Sequence, residues 1–288
     1  MRADLPDGLF ESLGEIRNDL RPARATFQVL KDLLGDRFRR SGFAQENGGP
    51  VALGPFGEVD IPYRKMGSID SVDLFGLDEL LIFAFYWANR KLYKRTVDVG
   101  ANLGLHSILM ARSGFAVTSF EPDPIHFDLL EANLARNAVK TVTPVRAAIS
   151  ATDGVMEFVR VVGNTTGSHL AGAKTNPYGP LDRFSVAVHA IAPIAKEADF
   201  AKIDAEGHEV VILKSIPAET WRTLDVMAEV GTPENAVDLF DHFHKLGVNL
   251  LAQKIGWRPA TKVEDVPVSH REGSLFITSR SALPWGDA

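Results

Sequence analysis

The chain has 288 residues, of which 45% are hydrophobic and 24% are charged, close to the average for folded globular proteins. This composition excludes collagen-like, coiled-coil and disordered chains, and the length fits one large domain with an appendage. The formal net charge of −6 provides no overall positive field for binding nucleic acid or an anionic membrane. Because the chain has no cysteine, disulfides, thiolate metal sites and a cysteine nucleophile are excluded, and any metal would need His and carboxylate ligands.

Two features of the sequence disfavour export and membrane insertion. The first residues carry acids and a proline where a signal peptide has an apolar run. The longest apolar run, residues 80–88, is about half the length of a membrane-spanning helix. We therefore expect a cytoplasmic protein without membrane or nucleic-acid partners.

The apolar residues between positions 9 and 38 recur at helical spacing and predict two short helices. A segment rich in glycine and proline follows over residues 41–57, which is typical of a boundary. We expect residues 1–60 to form an N-terminal helical extension with its loop, and residues 61–288 to form the main domain.

The main domain alternates between helical runs and β-prone runs. An apolar helix over residues 77–91 precedes seven predicted core strands, at residues 95–99, 115–120, 141–147, 200–203, 226–230, 248–253 and 275–279. Extra strands over residues 155–162 and 184–191 flank a polar loop, residues 163–180, which we expect on the substrate side. Because parallel strands need crossover helices, the pattern predicts an α/β fold with a doubly wound, mostly parallel seven-stranded sheet.

The turn after the first core strand is rich in glycine. It contains Asp98, Gly100, Asn102 and Gly104, and the G-x-x-x-G spacing differs from the G-x-G-x-x-G that binds a dinucleotide pyrophosphate. Glycine lacks a Cβ, so a ligand can approach this backbone closely. A tight β-to-α turn with nothing bound is the alternative.

An acid follows the second core strand. Glu121 lies 23 residues after Asp98, near the spacing at which a carboxylate meets the ribose hydroxyls of an adenosine-containing cofactor. The alternative is that Glu121 caps the following helix. The glycine turn and the acid together favour a nucleoside cofactor.

Acids also follow the fourth and fifth core strands. Asp204, Glu206 and Glu209 end the fourth, and Glu229 ends the fifth. Because unpaired carboxylates are costly to bury, we expect a positive group, a metal or an acid/base role among them. Helix capping and ordinary salt bridges are the alternative.

Three segments, residues 97–104, 120–122 and 202–209, together resemble the signature blocks of the FkbM-type S-adenosylmethionine-dependent methyltransferases. The resemblance spans about residues 95–229 and implies the class I methyltransferase fold, a Rossmann-like sheet whose last strand is antiparallel. It implies that Gly100, Asn102 and Gly104 line the methionine part of the cofactor and that Glu121 binds the ribose. Ala147, at the end of the third strand, would contact the adenine.

The positive sulfonium and ammonium of this cofactor suit the acidic strand ends, and we include Asp98 and Asp204 among the cofactor-binding residues. Methyl transfer to a hydroxyl depends on positioning and on a base for the acceptor proton. Asp204 is our first candidate for that base, and His208, one turn further, is the second. Glu206 and Glu229 would orient a hydroxyl of the acceptor. Alternatively, they would bind Mg²⁺ together with Asp204, although no metal-binding motif in the sequence supports this.

The resemblance implies O-methylation of a hydroxyl on a sugar or on a glycosylated or polyketide-like small molecule. One alternative is a nicotinamide-dependent oxidoreductase, which the glycine spacing disfavours; another is a non-catalytic cofactor-binding assembly module. We expect the acceptor pocket to be built from the N-terminal helices and the loop over residues 163–180. A homodimer through the N-terminal helices is also expected.

Overall fold

A computed structural model of the chain describes residues 5–6, 8–41, 43, 49–67, 70–174 and 179–286. Parts of the predicted boundary segment and of the polar loop, including residues 175–178, lie outside the described residues. The α-helices of the described part are α1 (Leu9–Ile16), α2 (Ala25–Arg39), α3 (Leu77–Ala88), α4 (Leu105–Arg112), α5 (Pro124–Arg136), α6 (Ile191–Glu197), α7 (Glu209–Lys214) and α8 (Pro233–Leu246).

The strands of the same residues form two sheets and a short antiparallel pair. They are β1 (Val51–Ala52), β2 (Glu58–Val59), β3 (Arg95–Val99), β4 (Ala116–Phe120), β5 (Val142–Val145), β6 (Ala148–Ser150), β7 (Gly154–Val161), β8 (His169–Leu170), β9 (Leu181–Ala190), β10 (Phe200–Ile203), β11 (Asp225–Ala228), β12 (Asn249–Ala252), β13 (Arg258–Pro259) and β14 (Leu275–Thr278).

The large sheet has the strand order β13-β12-β14-β11-β10-β3-β4-β5. Strands β5, β4, β3, β10 and β11 are parallel, and β14 is antiparallel to both of its neighbours. This confirms the predicted doubly wound, mostly parallel sheet and its antiparallel last strand. The structure adds the two-residue edge strand β13, which is too short to leave a pattern in the sequence.

Both faces of the large sheet are covered, which explains its nearly continuous apolar strands. One core contains residues of α1 to α5 together with Phe200 and Phe276, and the other contains residues of α6 to α8 together with Val97 and Ile203. Strands β10, β11 and β14 are buried along their whole length. The residues that directly follow these strands are therefore held at fixed positions.

The two predicted N-terminal helices are present, and they share a core with the sheet. Phe10 of α1 and Phe27 of α2 are almost fully buried in the first core. Phe38 of α2 stacks on Phe75 with ring centroids 5.0 Å apart. Helix α2 thereby forms a wall beside the carboxyl ends of the large sheet.

The predicted extra strands correspond to β7 and β9, and together with β6 and β8 they form a small sheet with the order β6-β9-β7-β8. The chain leaves the large sheet after β5 and enters the small sheet at Ala148, so the predicted third core strand, residues 141–147, ends earlier than expected, at Val145. Strands β7 and β9 pair antiparallel along eight residue pairs. No helix in the described part of the chain is long and apolar enough to cross a membrane.

Candidate functional site

A cavity of about 1140 Å³ opens at the carboxyl ends of β3, β4, β10 and β11. Strand order reverses between β3 and β10, the place where open α/β sheets bind ligands. Helix α2 and residues 72–79 form one wall, and the small sheet with residues 164–170 forms another. Of the segments that the sequence assigns to the acceptor pocket, helix α2 and part of the polar loop line the cavity, whereas α1 does not.

The turn after β3 depends on glycine for two reasons. Gly100 has a φ of +77°, and a Cβ there would overlap the carbonyl oxygen of Asp204 in the turn after β10. The Asp204 amide in turn donates to Val99 O at 3.1 Å. The two strand-end turns therefore touch backbone to backbone, and a side chain on Gly100 would separate them.

Glu121 lies at the end of β4 with its carboxylate almost fully buried. Its Oε2 accepts the Asn102 amide at 2.8 Å, and its Oε1 accepts the Asp123 amide at 2.9 Å. Burial is the main reason why the pKa of Glu121 rises to about 7, and the two amide hydrogen bonds oppose that rise. The carboxylate lines the cavity in a fixed orientation.

Asp123, and not Glu121, caps helix α5. Its Oδ1 accepts the Ile125 amide at 2.8 Å, and its two oxygens bind Arg160 of β7 at 2.7 Å each. Asp123 is 1% exposed, so this bidentate pair is well shielded from water. Arg160 thereby ties the small sheet to the turn that carries Glu121.

Asn102 also adopts a left-handed conformation, with a φ of +51°. Its backbone amide is occupied by Glu121, whereas its side-chain Oδ1 is buried and has no hydrogen-bond partner among the described residues. An unpaired buried acceptor is costly unless a donor reaches it. Asn102 lines the cavity, so a ligand with a polar N–H group would satisfy this oxygen.

Lys202 of β10 supplies a positive charge among the strand-end acids. Its Nζ lies 3.2 Å from Asp204 Oδ2, and the side chain is buried. Although burial lowers the pKa of Lys202, the carboxylates of Asp204, Asp98 and Glu79 raise it above its ordinary value. Part of the positive charge expected at this edge therefore belongs to the chain itself.

The turn after β10 holds its remaining acids in different ways. Glu209 accepts the amides of Ala205 and Gly207 and so fixes the turn. Glu206 Oε2 lies 2.5 Å from Lys174 Nζ, and burial together with the charge of Asp204 raises the pKa of Glu206 to about 7. Burial, followed by the negative charges of Asp204 and Glu206, raises the pKa of Glu229 well above its ordinary value.

Within the residues that the structure describes, these acids are not grouped as metal ligands. In the described part of the chain, no group of three or more His, Asp or Glu side chains is arranged to hold a metal ion. Asp204 and Glu206 instead each pair with a lysine. The geometry therefore does not support the alternative of Mg²⁺ bound by Asp204, Glu206 and Glu229.

The structure brings most of the predicted site residues together. The cavity is lined by Gly100, Asn102, Glu121, Ala147, Asp204, Glu206 and Glu229. Three predicted residues do not line it. Asp98 is fully buried and accepts a hydrogen bond from Ser107, and Gly104 packs against Leu130. His208 lies 2.8 Å from Ser150 Oγ, outside the cavity wall.

Two residues that the sequence reasoning missed lie at the cavity with polar partners from distant parts of the chain. Glu79 of α3 lines it, and its Oε2 lies 2.9 Å from His106 Nε2, whose Nδ1 lies 2.9 Å from the hydroxyl of Tyr86. Lys174 lies between β8 and β9 of the small sheet and pairs with Glu206. The acid in an otherwise apolar helix was the signal available for Glu79, whereas nothing in the local pattern distinguishes Lys174.

Comparison with known proteins identifies relatives of the chain. The family model of the Methyltransferase FkbM domain matches residues 98–247. Methyltransferase sdnD of Sordaria araneosa is 28% identical over 171 residues, which is 48% of this chain and 66% of that protein. The chain therefore spans just under two thirds of the length of that relative.

Solved structures of methyltransferases also resemble the chain. Precorrin-6y C5,15-methyltransferase from Geobacter metallireducens GS-15 aligns over 69% of this chain and 86% of its own, with 15% identity and a TM-score of 0.38. A delta-N METTL16 methyltransferase domain aligns over 88% of this chain and 97% of its own, with 13% identity and a TM-score of 0.43. The family match covers more than half of the chain, including the turns after β4 and β10 and nearly all of the glycine turn after β3, so the chain belongs to the FkbM methyltransferase family.

Proposed function

We propose that the protein transfers the methyl group of S-adenosylmethionine to a hydroxyl of a sugar or of a glycosylated or polyketide-like small molecule. The observation that carries the proposal is the pair of turns after β3 and β4. They place the buried Glu121 carboxylate, fixed by two backbone amides, beside the glycine turn at the reversal of strand order.

The residues present fit this cofactor. Glu121 would accept hydrogen bonds from the ribose hydroxyls, and Gly100 lines the cavity with it. The unpaired Oδ1 of Asn102 would accept from the ammonium of the methionine part. When bound, S-adenosylmethionine supplies an electrophilic methyl group on a positively charged sulfur.

The carboxylates at the ends of β10 and β11 contribute through their charge. Asp204 lines the cavity and is held by Lys202, and Glu206 is held by Lys174. In this proposal the negative charge of Asp204 offsets the positive charge of the cofactor, and Asp204 is a cofactor-binding residue for that reason. Glu206 and Glu229 would orient a hydroxyl of the acceptor.

The walls of the cavity suit a polar acceptor. Thr165, Thr166 and Ser168 of the polar loop line the cavity, and α2 contributes Lys31, Asp32, Asp36 and Arg39. Hydroxyl groups and charged groups that can both donate and accept match a molecule with many hydroxyls better than an apolar one. This lining supports a sugar-bearing acceptor over a purely hydrocarbon one.

Calorimetry with S-adenosylhomocysteine, followed by mass spectrometry of a panel of methyl glycosides incubated with S-adenosylmethionine, tests the proposal. We expect micromolar binding and a mass increase of one methyl group in at least one glycoside. Absence of heat with either form of the cofactor would refute cofactor dependence. Thermal stabilisation by NAD but not by S-adenosylhomocysteine would favour the oxidoreductase alternative instead.

A further inference from the structure

His169 lies in the cavity wall with one ring nitrogen fixed by the backbone. The residue belongs to β8, is 2% exposed, and pairs with Val159 of β7. Its Nδ1 lies 2.9 Å from Gly167 O. Because a carbonyl oxygen only accepts hydrogen bonds, Nδ1 must carry the proton, and in the neutral ring Nε2 then holds a free lone pair.

Among the described residues, no donor or acceptor lies within hydrogen-bond distance of His169 Nε2, although the ring lines the cavity. The ring is therefore oriented through Nδ1, and Nε2 is left without a partner among the described residues, as a proton acceptor must be.

His169 is also connected to the turn that carries the strand-end acids. Gly167 O, which fixes the ring, accepts from Lys174 Nζ at 3.3 Å. The same ammonium lies 2.5 Å from Glu206 Oε2. The carbonyl, the lysine and the carboxylate thereby connect the segment around β8, which carries the imidazole, to the turn after β10.

We propose that His169 is the general base of the methyl transfer, an inference that rests on the proposed function. His169 Nε2 accepts the proton of the acceptor hydroxyl while an oxygen lone pair forms the new O–C bond to the methyl group. The C–S bond breaks with its electron pair remaining on sulfur, which becomes a neutral thioether. The imidazolium then releases its proton to water.

The other candidates for the base are less suited. Asp204 Oδ2 lies 3.2 Å from the ammonium of Lys202, so this oxygen already has a partner in the protein. His208 Nε2 faces Ser150 outside the cavity. His126 lines the cavity, but its Nε2 is occupied by Thr165 Oγ1 at 3.0 Å.

The charges around His169 keep the ring neutral near pH 7. Burial lowers its pKa, the hydrogen bond to Gly167 O opposes this, and the positive charges of Lys174 and Arg183 lower it further. Lys174 is itself paired with Glu206, and Arg183 is paired with Glu157 of β7. The neutral ring, which can accept a proton, therefore persists to a pH below the ordinary histidine pKa. The carboxyl of Glu206, in contrast, has a pKa of about 7.

The first test reads the imidazole itself. Protein labelled with ¹⁵N at its histidines and saturated with S-adenosylhomocysteine is titrated by NMR, with His169→Asn to assign the signal. We expect the neutral ring to carry its proton on Nδ1 and to titrate below pH 6.5. A proton on Nε2, or a ring still protonated at pH 7.5, would overturn the proposal.

The second test reads transfer to the methyl glycosides. His169→Asn keeps a donor near the position of Nδ1 and removes the base, and we expect kcat to fall by about 10²–10⁴-fold with unchanged S-adenosylhomocysteine affinity. The limb of the pH profile below pH 6.5 should disappear in that variant. Added imidazole should restore part of the rate in His169→Ala, which a purely structural role would not allow.

The matched control is His189→Gln, on β9 of the same small sheet and outside the cavity wall. We expect its kcat to stay within about threefold of the wild type. A His169→Asn enzyme as fast as this control would refute the role of the base. If the wild type binds the cofactor but methylates no glycoside of the panel, the acceptor class of the proposed function fails, and the imidazole measurement alone decides on His169.

Discussion

The carboxylate of Glu121 accepts the backbone amide of Asn102 at 2.8 Å, although the two residues belong to turns after different strands. The same carboxylate accepts the Asp123 amide, so each of its oxygens is already held by the protein. A ligand that binds Glu121 thus meets a carboxylate that needs no reorientation. Such preorganisation reduces the entropy lost on binding.

Replacing Glu121 by alanine should weaken S-adenosylhomocysteine binding by roughly 10- to 150-fold. The estimate corresponds to about 1.5–3 kcal/mol for hydrogen bonds to a charged group. Calorimetry at pH 8 measures it, with Glu197→Ala as the control, because Glu197 is 74% exposed and pairs with Arg95 at the start of β3. Equal affinities in both variants would exclude Glu121 from the cofactor site.

The stability of the ligand-free protein should fall as the pH rises from about 4.5 to about 7. The folded-state pKa of Glu121, about 7, lies above the unfolded value of 4.5, so the folded state retains a proton that the unfolded state releases. Glu121 then contributes about 3 kcal/mol of pH dependence across this window and none above it.

Urea unfolding at several pH values tests this dependence, with Glu121→Gln compared with the wild type. Glutamine offers one acceptor for two amides, so we expect a lower free energy of unfolding at every pH together with a flatter pH dependence. Glu206 contributes with the same sign in both proteins and cancels in the difference. Parallel stability curves would show that Glu121 does not titrate in this range.

Replacing Lys202 by methionine should destabilise the protein by about 3–5 kcal/mol. The change leaves Asp204, Asp98 and Glu79 without the buried ammonium that offsets their charge. Lys214→Met is the matched control, because Lys214 and Asp238 form an exposed pair whose loss should cost about 0–1 kcal/mol. Similar chemical-denaturation midpoints for the two variants would contradict a central role for Lys202.

Replacing Gly100 by alanine should cost more than about 3 kcal/mol of stability and abolish detectable cofactor binding. The new Cβ would meet the carbonyl of Asp204, and backbone cannot move aside as a flexible side chain can. Gly114→Ala controls for backbone conformation, because Gly114 also has a positive φ but open space around it, so only a strain of about 1–2 kcal/mol is expected. Thermal unfolding and calorimetry compare the two.

The sequence was sufficient for the features that depend on local pattern. An apolar strand followed by a glycine or an acidic residue indicates where the chain leaves the sheet. This pattern correctly predicted that Gly100, Glu121 and Asp204 lie at the edge where the cavity opens. The antiparallel last strand came with the family resemblance. The partner of the N-terminal helices was not predictable, because an amphipathic helix shows that it has a buried face but not what covers it.

His208 shows how local spacing misleads. If a helix ran from Asp204 onward, His208 would lie one turn further on the same helix face. Helix α7 begins only at Glu209, however. Glu206 and Gly207 adopt left-handed conformations, with φ of +52° and +103°, and they turn the chain before α7 starts. His208 consequently faces Ser150 of the small sheet.

The roles of Lys202 and His169 were not predicted because they depend on contacts with distant segments of the chain. Lys202 stands within a short apolar strand, where its neighbours indicate burial but not the carboxylates of Asp98 and Glu79 that compensate it. His169 lies in a two-residue strand whose pairing with β7 no periodicity reveals. Such contacts between distant segments are set by the assembled fold.

Helix α2 and the small sheet face each other across the cavity, and neither supplies a strand to the large sheet. The floor, with its glycine turn and its carboxylates, is held by the hydrogen-bond register of β3, β4 and β10. Surface positions of α2 such as Asp32 and Asp36 can therefore be exchanged without altering that register. Under the proposed function, redesign of acceptor choice would therefore start at helix α2, which contributes no residue to the glycine turn or to the carboxylates of the floor.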